Sequence, residues 1–226
     1  MVNESKKPSL DDLANYYSTD KGTQYPHQTV HGYASIYETY LDKWREDAIR
    51  LLEIGICMEY SPGGHSVRMW SDYFQNASIY TFDIVDMSQH PAITGCDRVQ
   101  FFKGDQEKRE DLDAMYNEFG GKPFDFIIED GSHKHIHQMI SLGHLFKYVK
   151  SGGYYILEDM SIPGIKNCCI NNDATYSLLK DFETTGIIIN EHILPEEKQY
   201  LEKNIATVKI YHDIKDKFAV AIITKK

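Results

Sequence analysis

From Ile49 onward the chain alternates short apolar runs with amphipathic helical stretches, and this periodicity restricts its fold more than any other feature. Ile49 to Ile56 (IRLLEIGI) reads as a strand covered on both faces, because its apolar residues cluster rather than alternate strictly. A Gly-rich loop follows, then a helix carrying Val67, Trp70 and Phe74 on one side. Ser78 to Val85, Val99 to Gly104, Phe124 to Asp130 and Tyr154 to Met160 read as four further strands. The helix before Phe124 places Leu112, Met115, Tyr116 and Phe119 on one face, and the helix after Asp130 does so with Ile136, Met139 and Ile140. Gly152 and Gly153 are expected to end that last helix. Strands that alternate with helices build right-handed βαβ units, which predicts a parallel sheet with helices on both faces.

The two ends of the chain depart from the alternation. Near the N-terminus, Leu10, Leu13, Ala14 and Tyr17 recur at helical spacing after a cap candidate at Ser9, and Tyr33, Ile36, Tyr37, Tyr40, Leu41 and Trp44 recur likewise. A polar connector, Ser18 to Gly32, joins them. At the C-terminus, Thr207 to His212 and Phe218 to Thr224 are strands separated only by Asp213 to Lys217. A connection that short cannot cross over a sheet, so the pair must form an antiparallel hairpin. The expected architecture is a seven-stranded α/β sheet, five strands parallel plus the hairpin. It forms one domain over 1–226, with a helical cap at 1–46 and an α/β core at 47–226.

Composition narrows the function classes. The 226 residues carry 24 Lys+Arg against 34 Asp+Glu, a formal net charge of -10, whereas a general nucleic-acid binder needs clustered basic residues for phosphate contacts. No apolar run approaches the ~20 residues of a membrane span. The opening MVNESKKPSLDD lacks the hydrophobic stretch of a secretory signal, so a cytoplasmic location is expected. Cys57, Cys96, Cys168 and Cys169 show no CxxC spacing and read as reduced thiols.

Ligands of open α/β sheets bind outside the carboxyl ends of the strands. Those ends deliver Glu53 with Gly55, then Asp83, Asp105, Glu129 with Asp130, and Glu158 with Asp159, so five successive strands bring acid to one rim. Asp83 stands where a carboxylate can accept hydrogen bonds from both ribose hydroxyls. The loop after the first strand lacks GxGxxG, because Cys57 replaces the glycine that would let a pyrophosphate approach. That disfavours a nicotinamide dinucleotide and leaves room for a cationic adenosyl ligand without phosphates. Asp130, Glu158 and Asp159 together form a hard oxygen site suited to Mg²⁺. His133, three residues after Asp130, is placed to act as a general base. His135 and His137 follow at alternate positions, which on a helix point in different directions and so cannot join His133 on one ion.

At these residues the chain resembles a known family, the metal-dependent, S-adenosylmethionine-dependent O-methyltransferases of the macrocin and mycinamicin type, which act on macrolide sugars. The resemblance covers roughly residues 18–160. It is carried by Thr19-Asp20-Lys21-Gly22, Leu51-Leu52-Glu53-Ile54-Gly55, Gly63 to Trp70 (GGHSVRMW), Asp83, and Gly104-Asp105-Gln106. Asp130-Gly131-Ser132-His133, Ser151-Gly152-Gly153 and Glu158-Asp159-Met160 complete it. It implies that Glu53, Gly55 and Ser66 border the methionine end of S-adenosylmethionine, Asp83 its ribose, and Asp105 and Gln106 its adenine. It also implies that Asp130, Glu158 and Asp159 hold Mg²⁺ and that His133 is the base, with Asp130 counted among the catalytic and cofactor-binding residues as well. The expected acceptor is a sugar or polyol hydroxyl. A catechol-like acceptor on the same fold, or a non-catalytic binding protein, are the alternatives, and a homo-oligomer is left open. Ser161 to Asn172 is expected to form part of a lid or substrate rim; the sixteen tyrosines are open to sugar stacking or to packing, and none is singled out as a substrate contact.

Overall fold

Each apolar run of the alternating stretch becomes a strand in the computed structural model, which describes residues 7–24, 30–57, 63–165 and 173–226. The chain opens with α1 (Leu10–Tyr16) and α2 (Tyr33–Leu41), then runs β1 (Arg50–Ile54), α3 (His65–Tyr73), β2 (Ser78–Asp83), α4 (Pro91–Thr94) and β3 (Val99–Lys103). It continues with α5 (Arg109–Glu118), β4 (Phe124–Glu129), α6 (His135–Leu145), β5 (Val149–Ser161), α7 (Ala174–Thr185), α8 (Pro195–Asn204), β6 (Ile205–His212) and β7 (Phe218–Lys225). The strands form one sheet of order β3-β2-β1-β4-β5-β7-β6. β1 to β5 pair in parallel, and β7 inserts antiparallel between β5 and β6. The chain thus reverses at the β1/β4 boundary, the switch point at which ligands of such sheets bind.

Both faces of the sheet are covered, which is why its central strands are apolar throughout. Leu52, Ile54 and Ile127 join a core with α5, α6, α7 and α8. Leu51, Phe126 and Ile128 point the other way, into a core with α1, α2, α3 and α4. The N-terminal helices therefore belong to one layer of the sandwich. Ser9 caps α1 reciprocally with Asp12, as its position suggests. In the terminal hairpin, the Asp213 carboxylate accepts from the backbone N–H of Lys215 and Lys217 and closes the turn.

The structure corrects the reading of two glycines. α6 ends at Leu145, and Gly152 and Gly153 lie inside β5, not at the end of the helix. Between Val149 and Tyr154, which face Phe124 and Phe126, β5 carries extra residues in an irregularity of the ladder. A side chain at Gly153 would stand 2.4 Å from the Asp125 carbonyl oxygen, so glycine is required by close approach of the neighbouring strand. α7 and α8 have no counterpart in the sequence reading; they fill the crossover from β5 to the hairpin with Leu178, Leu179, Phe182 and Leu201 turned into the core. Among the described residues, no helix is long and apolar enough to cross a membrane. Residues 166–172, most of the expected rim segment and including Cys168 and Cys169, lie outside the described residues.

Candidate active site

The loops that follow β1 and β4 are locked to one another at the switch point. Gly55 N–H donates to the Phe82 carbonyl and Asp130 N–H to the Ile54 carbonyl, each at 2.8 Å, which extends the ladder beyond the strands. Gly55 adopts φ 83° and lies so near Asp130 that an added Cβ would be 2.0 Å from its carbonyl oxygen. The backbone of the Asp130–His133 turn is thereby fixed against the end of β1.

Around that turn the structure gathers Asp130, His133 and Asp159, whereas Glu158, expected among the metal ligands, stands outside this cluster and is tied to it through Lys21. Ligand atoms of Asp130, His133 and Asp159 lie within 4.8 Å of one another. His133 (φ 57°) and Asp159 (φ 54°) are both left-handed, a conformation uncommon for non-glycine residues. Backbone strain of this kind costs of order 1–3 kcal/mol and persists where surrounding contacts over-determine it. Here the contacts come largely from the N-terminal segment. Lys21 donates to the Asp130 carboxylate and, at 2.9 Å, to Glu158 Oε2. The Tyr33 hydroxyl donates to Asp159 Oδ1 at 3.0 Å, and His31 Nε2 stands 3.8 Å from Asp159 Oδ2. His133 Nε2 approaches the same oxygen at 4.0 Å. His31 stacks on Tyr33 at 5.0 Å and reaches Asp213 of the hairpin turn through Nδ1 at 3.2 Å.

The electrostatics follow from burial opposed by pairing. Burial raises the Glu158 carboxyl well above its usual range and Asp130 beside it, against the pull of Lys21. For Asp159 burial acts the same way, but His31, His133 and Lys21 prevail and hold it below the ordinary value. Burial alone would depress His31; Asp159 and the bond to Asp213 reverse this and push it up to about 9, so the ring is a cation at neutral pH. Lys21, though fully desolvated, is kept charged by Asp130 and Glu158.

The donor set suits a hard divalent cation. It is dominated by carboxylate oxygens, and Glu158 Oε1 and His133 Nδ1 are buried without a hydrogen-bond partner among the described residues.

The residues expected around a cofactor fall along the same rim. Glu53 is fully buried and accepts from Ser66 Oγ at 3.0 Å and Trp70 Nε1 at 3.1 Å; burial pushes it up to about 7 against Lys21 and these donors. Asp83 Oδ2 accepts from Ile56 and Cys57 N–H, and Oδ1 from Val85 N–H, so the end of β2 is clasped to the β1 loop. Oδ2 thereby has both of its lone pairs engaged, and Oδ1 retains one. Asp105 Oδ1 accepts from Glu107 N–H at 3.1 Å. The Gln106 amide donates to Glu129 Oε1 and Ser141 Oγ and accepts from Ser132 N–H, which binds the β3 loop to the Asp130–His133 turn. Burial raises Glu129 to about 7, with the Gln106 amide opposing.

His135 and His137 take separate partners. His135 bonds Thr175 and Asn190, whereas His137 bonds Ser132 and faces Glu107. Lys21, His31 and Tyr33 are given no part in the acidic site by the sequence, which places Tyr33 on a helix face. The one signal for Lys21 is its place in the Thr19-Asp20-Lys21-Gly22 motif; nothing local marks His31 or Tyr33 as facing Asp159. Of the N-terminal tyrosines, Tyr33 and Tyr37 are fully buried, while Tyr16 is 77% exposed.

No protein-family model matches the chain. Mycinamicin VI 2''-O-methyltransferase of Micromonospora griseorubida is 31% identical to it over 219 residues, 93% of this chain and 52% of that protein. Demethylmacrocin O-methyltransferase of Streptomyces fradiae is 30% identical over 225 residues, 93% of this chain and 53% of that protein. Among solved structures, the MycE methyltransferase of the mycinamycin biosynthetic pathway, in complex with Mg and SAH, matches with a TM-score of 0.74 at 29% identity. That match covers 98% of this chain and 55% of the other. The chain therefore spans about half the length of the relatives it matches. Its sheet has the Rossmann-like class I methyltransferase fold, with the parallel strands that the alternation predicts and the antiparallel C-terminal hairpin that the short Asp213–Lys217 connection predicts.

Proposed function

The chain is a homologue of the mycinamicin- and macrocin-type sugar O-methyltransferases, and from that premise we propose that it transfers a methyl group from S-adenosylmethionine to a hydroxyl of a sugar-bearing small molecule, with Mg²⁺ at Asp130, Glu158 and Asp159. The observation that carries this reading is the convergence of Asp130, His133 and Asp159 at the switch point, with Glu158 beside them. S-adenosylmethionine supplies a methyl group already activated by its sulfonium. Asp130, Glu158 and Asp159 would hold Mg²⁺, which when bound would supply Lewis-acid polarisation of the acceptor hydroxyl.

The residues do the rest. His133 receives the hydroxyl proton at Nε2, the ring nitrogen that faces Asp159 Oδ2, and that carboxylate stabilises the imidazolium as it forms. Tyr33 and His31 hold Asp159 in its left-handed conformation. Glu53, Gly55 and Ser66 border the methionine end of the methyl donor, and Asp83 offers the remaining lone pair of Oδ1 to a ribose hydroxyl. Asp105 and Gln106 form the adenine wall, Gln106 with its amide already committed at both ends. Alignment of oxygen, methyl and sulfur then provides most of the rate.

The test is transfer of labelled methyl to glycosides bearing a vicinal diol and to catechols, with Mg²⁺ or with chelator. Transfer to the glycosides that chelation stops and Mg²⁺ restores is expected. His133→Ala should lower turnover by about 10²–10⁴-fold while S-adenosylmethionine still binds. Indifference to chelator, or full turnover in His133→Ala, refutes the mechanism.

A further inference from the structure

The carboxylates of the site already share a cation that belongs to the protein. Lys21 is 1% exposed, and its ammonium spans Asp130 and Glu158, which lie 109 and 137 residues away in sequence. A buried lysine is rare unless paired, and here both of its carboxylate partners are residues assigned to the divalent ion. The ammonium is placed by a built turn. The Lys21 carbonyl accepts from Ala34 N–H at 2.8 Å, the Asp20 carbonyl accepts from His31 N–H at 2.8 Å, and Gly22 N–H donates to the Thr19 carbonyl. Glu158, bonded to Lys21 through Oε2, keeps Oε1 buried and outside hydrogen-bond geometry, with the buried Tyr37 hydroxyl as the neutral neighbour of the carboxylate. One oxygen of that carboxylate is thus committed to the internal cation, and the other is available to an external one.

We propose that Lys21 is a positioning residue that acts as a tethered counter-cation of the metal cage: it holds Asp130 and Glu158 together and opposes the entering divalent ion, keeping that ion weakly bound and exchangeable. The proposal rests on the reading of Asp130, Glu158 and Asp159 as the divalent-cation site. Without Lys21, Asp130 and Glu158 share a desolvated place with no cation between them, and a divalent ion competes with protons alone to neutralise the pair. The two effects of removing it therefore run in opposite directions: the metal-free protein loses stability, and the metal binds more tightly.

The experiment compares wild type with Lys21→Met, titrating Mn²⁺ by electron paramagnetic resonance and following thermal unfolding with and without saturating Mg²⁺. Mn²⁺ affinity should rise about tenfold or more in the variant, since a unit charge a few ångströms away acts through a low effective dielectric. The Mg²⁺-induced rise in Tm should likewise be larger in the variant than in wild type. A residue that only braces the fold would lower stability and leave metal affinity unchanged or weaker, and either outcome overturns the proposal. Should Lys21→Met not fold, the wild type carries the test through the ¹⁵Nζ resonance of its buried lysine. Mg²⁺ should shift that resonance, and an unmoved resonance at saturation overturns the proposal. Absence of divalent binding by wild type sinks the metal reading and this inference with it; binding by wild type without a gain in Lys21→Met sinks the inference alone.

Discussion

Replacing Gly55 by Ala should disable the site from a position that bears no functional group. At φ 83°, an alanine is strained by about 1–2 kcal/mol on backbone grounds alone. The larger effect is steric. The new Cβ would stand 2.0 Å from the Asp130 carbonyl oxygen and 2.5 Å from Gly131 Cα, where ordinary contact begins at 3.4 Å. The turn bearing Asp130 and His133 must then withdraw by the difference, 3.4 less 2.0, or 1.4 Å. Neither side can yield freely, because Gly55 N–H is bonded to Phe82 and Asp130 N–H to Ile54. A displacement of about 1 Å in a reacting constellation can lower a rate by about 10²-fold. Gly152→Ala is the control, since Gly152 has φ 76° but nothing among the described residues within 4 Å of its Cβ position. Both variants should lose Tm from strain, by about 2–4 °C for each kcal/mol in a chain of this length. Methyl-transfer kcat/KM should fall by about 10²-fold or more in Gly55→Ala and stay near wild type in Gly152→Ala. Equal activity in the two variants would refute the claim that the β1 loop positions the Asp130–His133 turn by contact.

Two further outcomes follow from the same structure. Tyr33→Phe removes the hydroxyl that donates to Asp159 Oδ1 while keeping the buried ring against His31; it should lower kcat about tenfold and leave the KM for S-adenosylmethionine unchanged, consistent with a charge-assisted hydrogen bond worth about 1.5–3 kcal/mol. Wild-type kcat in that variant would show that Asp159 is held by other contacts. Acid stability should report Glu197, which burial would raise but which the Arg109 guanidinium, His144 and the Leu194 N–H lower to about 2 from 4.5. Its folded-state value is the depressed one, so its stabilisation, on the order of 2–3 kcal/mol, is complete above pH 4.5 and is lost as pH falls toward 2. Urea unfolding should therefore find Arg109→Ala more destabilising at pH 7 than at pH 3, and equal losses at the two would refute the assignment.

What the sequence made legible is what short-range periodicity can encode. The strand runs, the hairpin and the acids at the strand ends follow from local alternation and from the rule that parallel strands end on one rim. Gly152 and Gly153 misled because glycine after a helix usually marks its end, whereas here the need is a close approach to Asp125 on the neighbouring strand, and sequence carries no record of neighbours. α7 and α8 escaped because their apolar residues, Leu178, Leu179, Phe182 and Leu201, are few and set among polar ones; burial against α6 and β5 defines those helices more than their own pattern does.

The same distinction explains the site. Asp130 and His133 were readable because they sit three residues apart on one turn, and Glu158 with Asp159 because they follow the last β5 residue paired with β4, although β5 runs on to Ser161 and holds the pair at a bulge. Lys21, His31 and Tyr33 reach the same place from a connector that, taken alone, is a polar loop between two helices. Nothing in Asp20-Lys21-Gly22 reveals that the ammonium will be buried, because burial depends on carboxylates more than a hundred residues downstream. Those carboxylates are in turn tolerable at the end of a desolvated strand only because a cation arrives to meet them. The acidic rim and the N-terminal segment are thus mutually dependent: the acids are the reason the lysine can be buried, and the lysine and histidine are the reason the acids can stay clustered. A reading that assigns the acids to a metal and the N-terminal segment to packing divides what the structure joins. That is why the perturbation with the widest consequence is expected at Lys21, outside the strand ends altogether.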